Sequence, residues 1–249
     1  MSLRNLVIFI LTAAFLSAPS PSKGQDSTAQ PSIQPTSEIV RESKPIDSNS
    51  NIYYRNKLEF SLETGWLPRN IPFAFDFLLG GGYNVTGLQY TLVPTLASLR
   101  WHMGDVRGPS VLRGNWDLTL TAAFTAIPRG PETHYEAYDM GIRRNFVHRN
   151  WKIAPYFDCR LGMGRIDAKG PKGARYGQGQ DFTFTVMIGS GVRYNFNSRF
   201  AISGGMNYMH ISNLYLSEPK YPNYGINVYG PMFGIDVRLG KPKRHADQQ

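Results

Sequence analysis

The chain has 249 residues and one cysteine, a length that suits a single folded domain and a thiol count that excludes an internal disulfide. Lys and Arg number 27 against 18 Asp and Glu, a net charge of +9 that suits a partner carrying phosphates. For a chain that opens on an export signal and holds no recognition motif, nucleic acid is set aside, which leaves an anionic lipid headgroup layer or a plain solvated basic surface.

In chain order, Met1 to Asn5 carries one positive charge and Leu6 to Leu16 is apolar. That run is too short to cross a bilayer and is suited to a secretory signal, with cleavage near Ala18 or Gly24, so residues 1–24 are read as a signal peptide. Residues 25–52 are rich in Ser, Pro, Gln, Thr and Asp and hold few large apolar side chains. They cannot bury enough surface to offset their ordering entropy and are read as a disordered periplasmic spacer. Residues 53–240 form the folded unit, and 241–249 are a basic tail.

Within the folded unit, segments alternating at a period of two recur between turn residues. Leu58, Phe60 and Leu62 alternate with Glu59, Ser61 and Glu63. Trp116, Leu118, Leu120 and Phe124 alternate with Asp117, Thr119, Thr121 and Thr125. Phe182, Phe184, Val186 and Ile188 lie opposite Asp181, Thr183, Thr185 and Gly189, and Phe233, Ile235 and Val237 lie opposite Gly234, Asp236 and Arg238. With Val93 to Met103, Tyr135 to Val147, Trp151 to Arg165 and Phe200 to Ser212, this predicts about eight strands of membrane-spanning length and no comparable helix. A soluble sandwich would alternate too, but here the apolar face is dense in aromatics and the opposite face carries Asp, Arg, Asn, Thr and Gly. The prediction is an all-β, eight-stranded antiparallel transmembrane barrel with a polar lumen, embedded in a bacterial outer membrane. Long links at Trp66 to Gln89, Arg165 to Gln180 and Ser212 to Asn227 fall outside the cell if the N-terminus is periplasmic; the link from Gly104 to Gly114 is long for a periplasmic turn.

Parity then places chemistry on the outer wall. Phe200, Ile202, Met206 and Tyr208 share a face, and the same parity continues to His210 and Ser212. Asn227 shares the parity of Tyr229 and Phe233 on the returning strand. A base, a hydroxyl and an amide able to orient the imidazole thus converge at the extracellular rim on the lipid side, where uncompensated polar groups are costly. Asn213 or a nearby backbone N–H would face the oxyanion of an ester-cleavage intermediate. Against this, a Ser two positions after a His is an ordinary coincidence in a chain with five His. His102, His134, His148 and His245 have no second ligand at metal spacing and are read as surface or rim residues; no metal and no cofactor is implied. Cys159 shares parity with Phe157 and Leu161 and is read as a small hydrophobe. Gly80 to Gly82 lack the strand-to-helix context of a phosphate cradle and are read as a loop tip.

His210-Ile211-Ser212-Asn213, followed by a loop ending Pro222-Asn223-Tyr224-Gly225-Ile226 and a final strand, resembles the lipid A 3-O-deacylases, the PagL-type outer-membrane barrels of eight strands. The motif spans about the last thirty residues, with strand count, size and export signal agreeing over the rest. The resemblance implies His210 as base, Ser212 as nucleophile and Asn213 at the oxyanion hole, and an activity that removes the ester-linked 3-hydroxyacyl chain from the lipid A of lipopolysaccharide. Where that family has Glu, this chain has Asn227. An amide oxygen can accept the imidazole N–H but brings no charge, and in a serine protease the comparable acid-to-amide change costs about four orders of magnitude in rate. Glu218, in the same loop, is a second candidate for supporting His210. Two alternatives stand beside the deacylase: a non-catalytic structural or adhesive barrel, and a phospholipase using the same residues. The sequence leaves a homodimer open.

Overall fold

The computed structural model describes residues 47–72, 88–168, 177–217, 219–221 and 223–240. The expected signal peptide, most of the spacer, the basic tail with His245, the Gly80 to Gly82 tip and Glu218 lie outside the described residues.

Eight long strands and one short one make a single antiparallel sheet: β1 (Leu58–Gly65), β2 (Arg69–Asn70), β3 (Thr91–His102), β4 (Gly114–Arg129), β5 (His134–Phe146), β6 (Ile153–Ile166), β7 (Phe182–Asn195), β8 (Phe200–Ser212) and β9 (Ile226–Arg238). Each long strand pairs with the next, and β1 closes the barrel on β9 with Phe60 opposite Val237 and Glu63 opposite Gly234. The two residues of β2 carry the line of β1 further along β9, pairing Arg69 with Tyr229. Closure leaves no open sheet edge.

The period-two pattern decides the faces as expected. Phe60, Leu120, Tyr138, Leu161, Phe182, Phe233 and Ile235 point out and are exposed, a belt of apolar side chains encircling the whole barrel that a soluble protein rarely shows. The partners at the other parity fill the lumen. Toward the end that carries the short β5–β6 and β7–β8 turns, expected to be periplasmic, the filling is ionic. Arg100 contacts Asp236 at 2.5 Å and Glu63 at 2.9 Å; Arg160 contacts Glu63 at 2.6 Å and Asp158 at 2.8 Å; Arg143 contacts Asp158 at 2.6 Å; Arg193 pairs with Glu59. Charges this deep are tolerable because each has several opposite partners, and removing one partner of such a set costs about 3–5 kcal/mol.

Toward the other end, where β8 meets β9 through the long loop, the same lumenal positions turn apolar: Leu92, Leu96, Ile127, Tyr135, Ile166, Met187, Met209, Ile211, Ile226, Val228 and Met232 form one buried cluster. The end of β8 and the start of β9 are therefore clamped from inside by a dry core, a rigid base for whatever their outer faces carry.

Three details depart from expectation. The described chain is ordered from Asp47, ahead of the expected start at residue 53: Ser48–Asn51 form a short 3-10 helix under the barrel, and the buried Asn49 amide donates to the carbonyls of His148 (2.6 Å) and Trp151 (3.1 Å). His102 is not a rim residue. It is fully buried in the lumen, 3.8 Å from Asp117 and stacked at 5.8 Å on Tyr53, because its strand position is lumenal and the incoming segment covers that end. Finally, one link at the end expected to be extracellular is short: β4 and β5 are joined by residues 130–133 alone, with Gly130 at φ +147.

Candidate active site

The hairpin of β8 and β9 brings the expected residues to one place on the outer wall. His210 and Asn227 are register partners, directly opposite each other, which puts both side chains on the same face. His210 Nδ1 lies 2.8 Å from Asn227 Oδ1. An amide oxygen only accepts, so Nδ1 carries the proton and Nε2 holds the lone pair of a neutral imidazole. Asn227 Oδ1 accepts a second bond, from the Tyr208 hydroxyl at 2.6 Å. Two donors converging on one oxygen fix the amide with its oxygen toward the imidazole.

Ser212 follows His210 by two positions on the same strand face. Its Oγ is nearly buried and accepts from Asn223 Nδ2 at 2.8 Å and from the backbone N–H of Leu214 at 3.2 Å. The second donor depends on unusual backbone. Leu214 and Tyr215 lie at φ +54 and +63, a left-handed pair of non-glycine residues that costs of order 1–2 kcal/mol each. That kink at the end of β8 turns the Leu214 N–H back toward the serine oxygen.

Asn213 is turned the other way. Its side chain is fully buried on the lumenal parity, and its Nδ2 donates to Gln178 O at 2.5 Å and to Ser217 Oγ at 2.7 Å. Both amide hydrogens are thereby used away from Ser212. What Asn213 offers the site is its backbone: its N–H donates to Asn223 Oδ1 at 3.4 Å, which orients the Asn223 amide so that Nδ2 faces Ser212. The structure thus joins His210 to Asn227 by a hydrogen bond, holds Ser212 two residues further along the same strand face, and sends the Asn213 side chain inward.

Two residues at the site were missed by the sequence reading: Asn223 as a donor to the serine, and Tyr208 as a donor to Asn227. Tyr208 was legible, since it shares the parity of His210, but it read as one more aromatic of the outer wall. Asn223 lies between two strands, where no period assigns a direction. Gly225 beside it has φ +65, and a Cβ there would meet His210 Cε1 at 3.5 Å and Asn227 Nδ2 at 3.7 Å. Glycine both permits the left-handed turn and lets the returning loop close on the imidazole.

Around the polar cluster the wall is apolar. Phe184 stands opposite Ser212 and Val186 opposite His210 on β7, and Leu214, Tyr215, Leu216 and Tyr224 are exposed above. The arrangement can accept a proton at Nε2, present a hydroxyl, and direct two N–H donors at the same point, beside a surface suited to hydrocarbon.

A model of the lipid A 3-O-deacylase (PagL) family matches residues 97–236. Among solved structures, the chain is similar to the outer membrane enzyme PagL, at 18% identity and TM-score 0.47, covering 71% of this chain and 97% of that one. It is also similar to Neisserial surface protein A, at 12% identity and TM-score 0.42, covering 74% of this chain and 97% of that one. A third similar structure is the N-terminal β-barrel domain of Pseudomonas aeruginosa OprF, at 13% identity and TM-score 0.42, covering 74% of this chain and 98% of that one. No curated protein sequence matches the chain.

Proposed function

Since the chain belongs to the lipid A 3-O-deacylase (PagL) family, we propose that it is an esterase that removes the 3-O-linked 3-hydroxyacyl chain from lipid A, with Ser212 as nucleophile, His210 as general base and Asn227 as the residue that orients His210. It is a β-barrel of the bacterial outer membrane. What supports the reading is the hydrogen bond between the His210 imidazole and the Asn227 amide oxygen on the outer wall, with the Ser212 hydroxyl two residues further along the same strand face and already taking two N–H donors.

In this reading, lipid A lies in the outer leaflet with the hydrocarbon of its 3-O chain against Phe184 and Val186. As Ser212 Oγ attacks the ester carbonyl, its proton passes to His210 Nε2. The oxyanion of the tetrahedral intermediate takes N–H bonds from Asn223 Nδ2 and Leu214 N, donors that rest on Oγ beforehand; Asn213 supports Asn223 from behind. Collapse expels the sugar oxygen, which takes the proton from Nε2 and leaves an acyl ester on Ser212. Water, deprotonated by His210, then attacks that ester and releases the free 3-hydroxy fatty acid. With an amide instead of a carboxylate on Nδ1, the imidazolium formed in each half-reaction has a dipole and no countercharge, so turnover is slow compared with a Ser-His-acid set.

A fluorophosphonate ester tests the nucleophile apart from the substrate. Intact-protein mass and peptide mapping should place one phosphonyl group on Ser212, with labelling slowed strongly in His210→Gln; labelling elsewhere, or unaffected by His210→Gln, would remove the assignment and leave the structural or adhesive barrel as the reading.

A further inference from the structure

We propose that the periplasmic rim carries a headgroup site for an anionic phospholipid of the inner-facing leaflet, in the cleft between the turns β5–β6 and β7–β8. The cleft encloses about 470 Å³, within the range of small-ligand sites. Trp151 and Phe196 form aromatic walls, Lys152 supplies a cation, and the 3-10 segment from Ser48 to Ile52 closes the cleft together with Asn195, Asn197 and Ser198; no carboxylate lines it. Arg149 and Arg199, in the same two turns, are exposed beside it.

Charge distribution singles out this end of the barrel. Arg55, Arg107, Arg144, Arg149, Lys152 and Arg199 lie at the periplasmic turns, where the described carboxylates outside the lumen are Asp47 and Asp105. Asp47 is already engaged by Arg113, and Asp105 accepts the backbone N–H of Arg55. At the extracellular rim the described charges offset one another, with Arg69, Arg129, Arg165 and Lys220 against Glu132, Glu136, Asp167 and Asp181. Arg149, Lys152 and Arg199 enter no ion pair among the described residues, although a carboxylate is close enough for Arg113 to do so.

The occupant is a lipid and not a free anion because Trp151 and Phe196, which line the cleft, adjoin the apolar outer wall. Directly beyond Trp151 and Phe196 stand Ile153, Tyr194, Phe200 and Ile202, all exposed on the outer face. Arg199 lies over the Phe200 ring at 5.8 Å, and Arg144 over Trp116 at 5.3 Å, so guanidinium and aromatic groups meet at the depth where phosphates meet hydrocarbon. A phosphate seated against Lys152 leaves its acyl chains on that wall.

The test reads Trp151 fluorescence as the difference between the full chain and Trp151→Phe, in phosphatidylcholine nanodiscs titrated with brominated phosphatidylglycerol or brominated phosphatidylcholine. Phosphatidylglycerol should quench with a several-fold higher association constant, the preference should fall by up to about fivefold in Lys152→Gln, and none should remain when Lys152→Gln, Arg149→Gln and Arg199→Gln are combined. Lys152→Gln alone, at an exposed position, keeps the test if the combined variant does not fold. Equal quenching by both lipids, or a preference that survives the variants, overturns the site. Displacement by inorganic phosphate overturns the lipid as its ligand, and a preference appearing only after removal of residues 241–249 assigns the cleft to that segment instead.

Discussion

His210 Nδ1 and Asn227 Oδ1 meet at 2.8 Å across one rung of the β8–β9 ladder. The bond sets the imidazole tautomer with an uncharged partner, and this separates orientation of the base from stabilisation of its protonated form.

Asn227→Glu puts a carboxylate where the amide oxygen now sits. It should raise kcat for lipid A deacylation by roughly a hundredfold or more, since the loss seen for acid-to-amide replacement in serine proteases is about 10⁴. Asn227→Leu should reduce the rate below that of the native chain. Steady-state kinetics on purified protein checks both; a Glu variant no faster than the native one would mean that Asn227 does not act through His210.

Tyr208→Phe deletes the second donor to Asn227 Oδ1 and leaves the ring in place. The amide then loses its fixed direction and spends time with Nδ2 toward the imidazole, which favours the wrong tautomer. The expected outcome is about a tenfold fall in kcat with KM little changed, and a smaller effect in the Asn227→Glu background, where either carboxylate oxygen can accept. Equal losses in both backgrounds would point to packing and not to orientation.

Asn223→Leu removes the donor 2.8 Å from Ser212 Oγ. Loss of one oxyanion donor costs roughly 10²–10³ in kcat, whereas Asn213→Leu should act mainly on stability, because its Nδ2 serves Gln178 and Ser217. Comparing kcat with the apparent unfolding temperature for the two variants separates them; a larger kcat loss for Asn213→Leu at unchanged stability would restore the oxyanion role to its side chain.

At the periplasmic end, Asp47 offers a pH dependence. Burial pushes its carboxyl up, but the N–H groups of Asn49 and Asn150 and the Arg113 guanidinium outweigh that and hold it below the ordinary 3.8. A folded-state pKa below the unfolded one means the stabilisation is present above the unfolded value and is lost as pH falls through the folded one. Amide exchange at Ser50 and Ile52 should stay slow from neutral pH to about pH 4 and quicken below it, with Asp47→Asn abolishing the transition; a transition near pH 6 would identify a different group.

Much of this architecture could be read from alternation alone, because period two is a strong constraint when one face meets lipid and the other a packed lumen. The parity of Phe200, Ile202 and Met206 carried His210 and Ser212 to the outer wall, and that of Tyr229 and Phe233 carried Asn227 to the same face. Where alternation stops, so did legibility. Asn213 is one residue past β8 and continues the lumenal parity, which turns its side chain away from Ser212; motif spacing gives no such direction. Asn223 and the left-handed pair Leu214 and Tyr215 lie in the connecting loop, where direction is set by hydrogen bonds to distant groups. His102 looked like a rim residue because the polar run of residues 47–53 gave no sign of folding back under the barrel. The change of the lumen from ionic to apolar along its length was hidden for another reason: it emerges only when residues far apart in sequence, such as Leu92, Ile127, Met209 and Val228, are stacked at one level.

The central claim is that Ser212 carries the acyl chain, and the most direct measurement is product release. Purified protein incubated with lipopolysaccharide, with free fatty acids and residual lipid A both read by mass spectrometry, should yield one 3-hydroxy fatty acid per lipid A shortened by that chain, while Ser212→Ala, folded to the same unfolding temperature, should yield none. Release of the same acid by the Ser212→Ala protein would contradict the account.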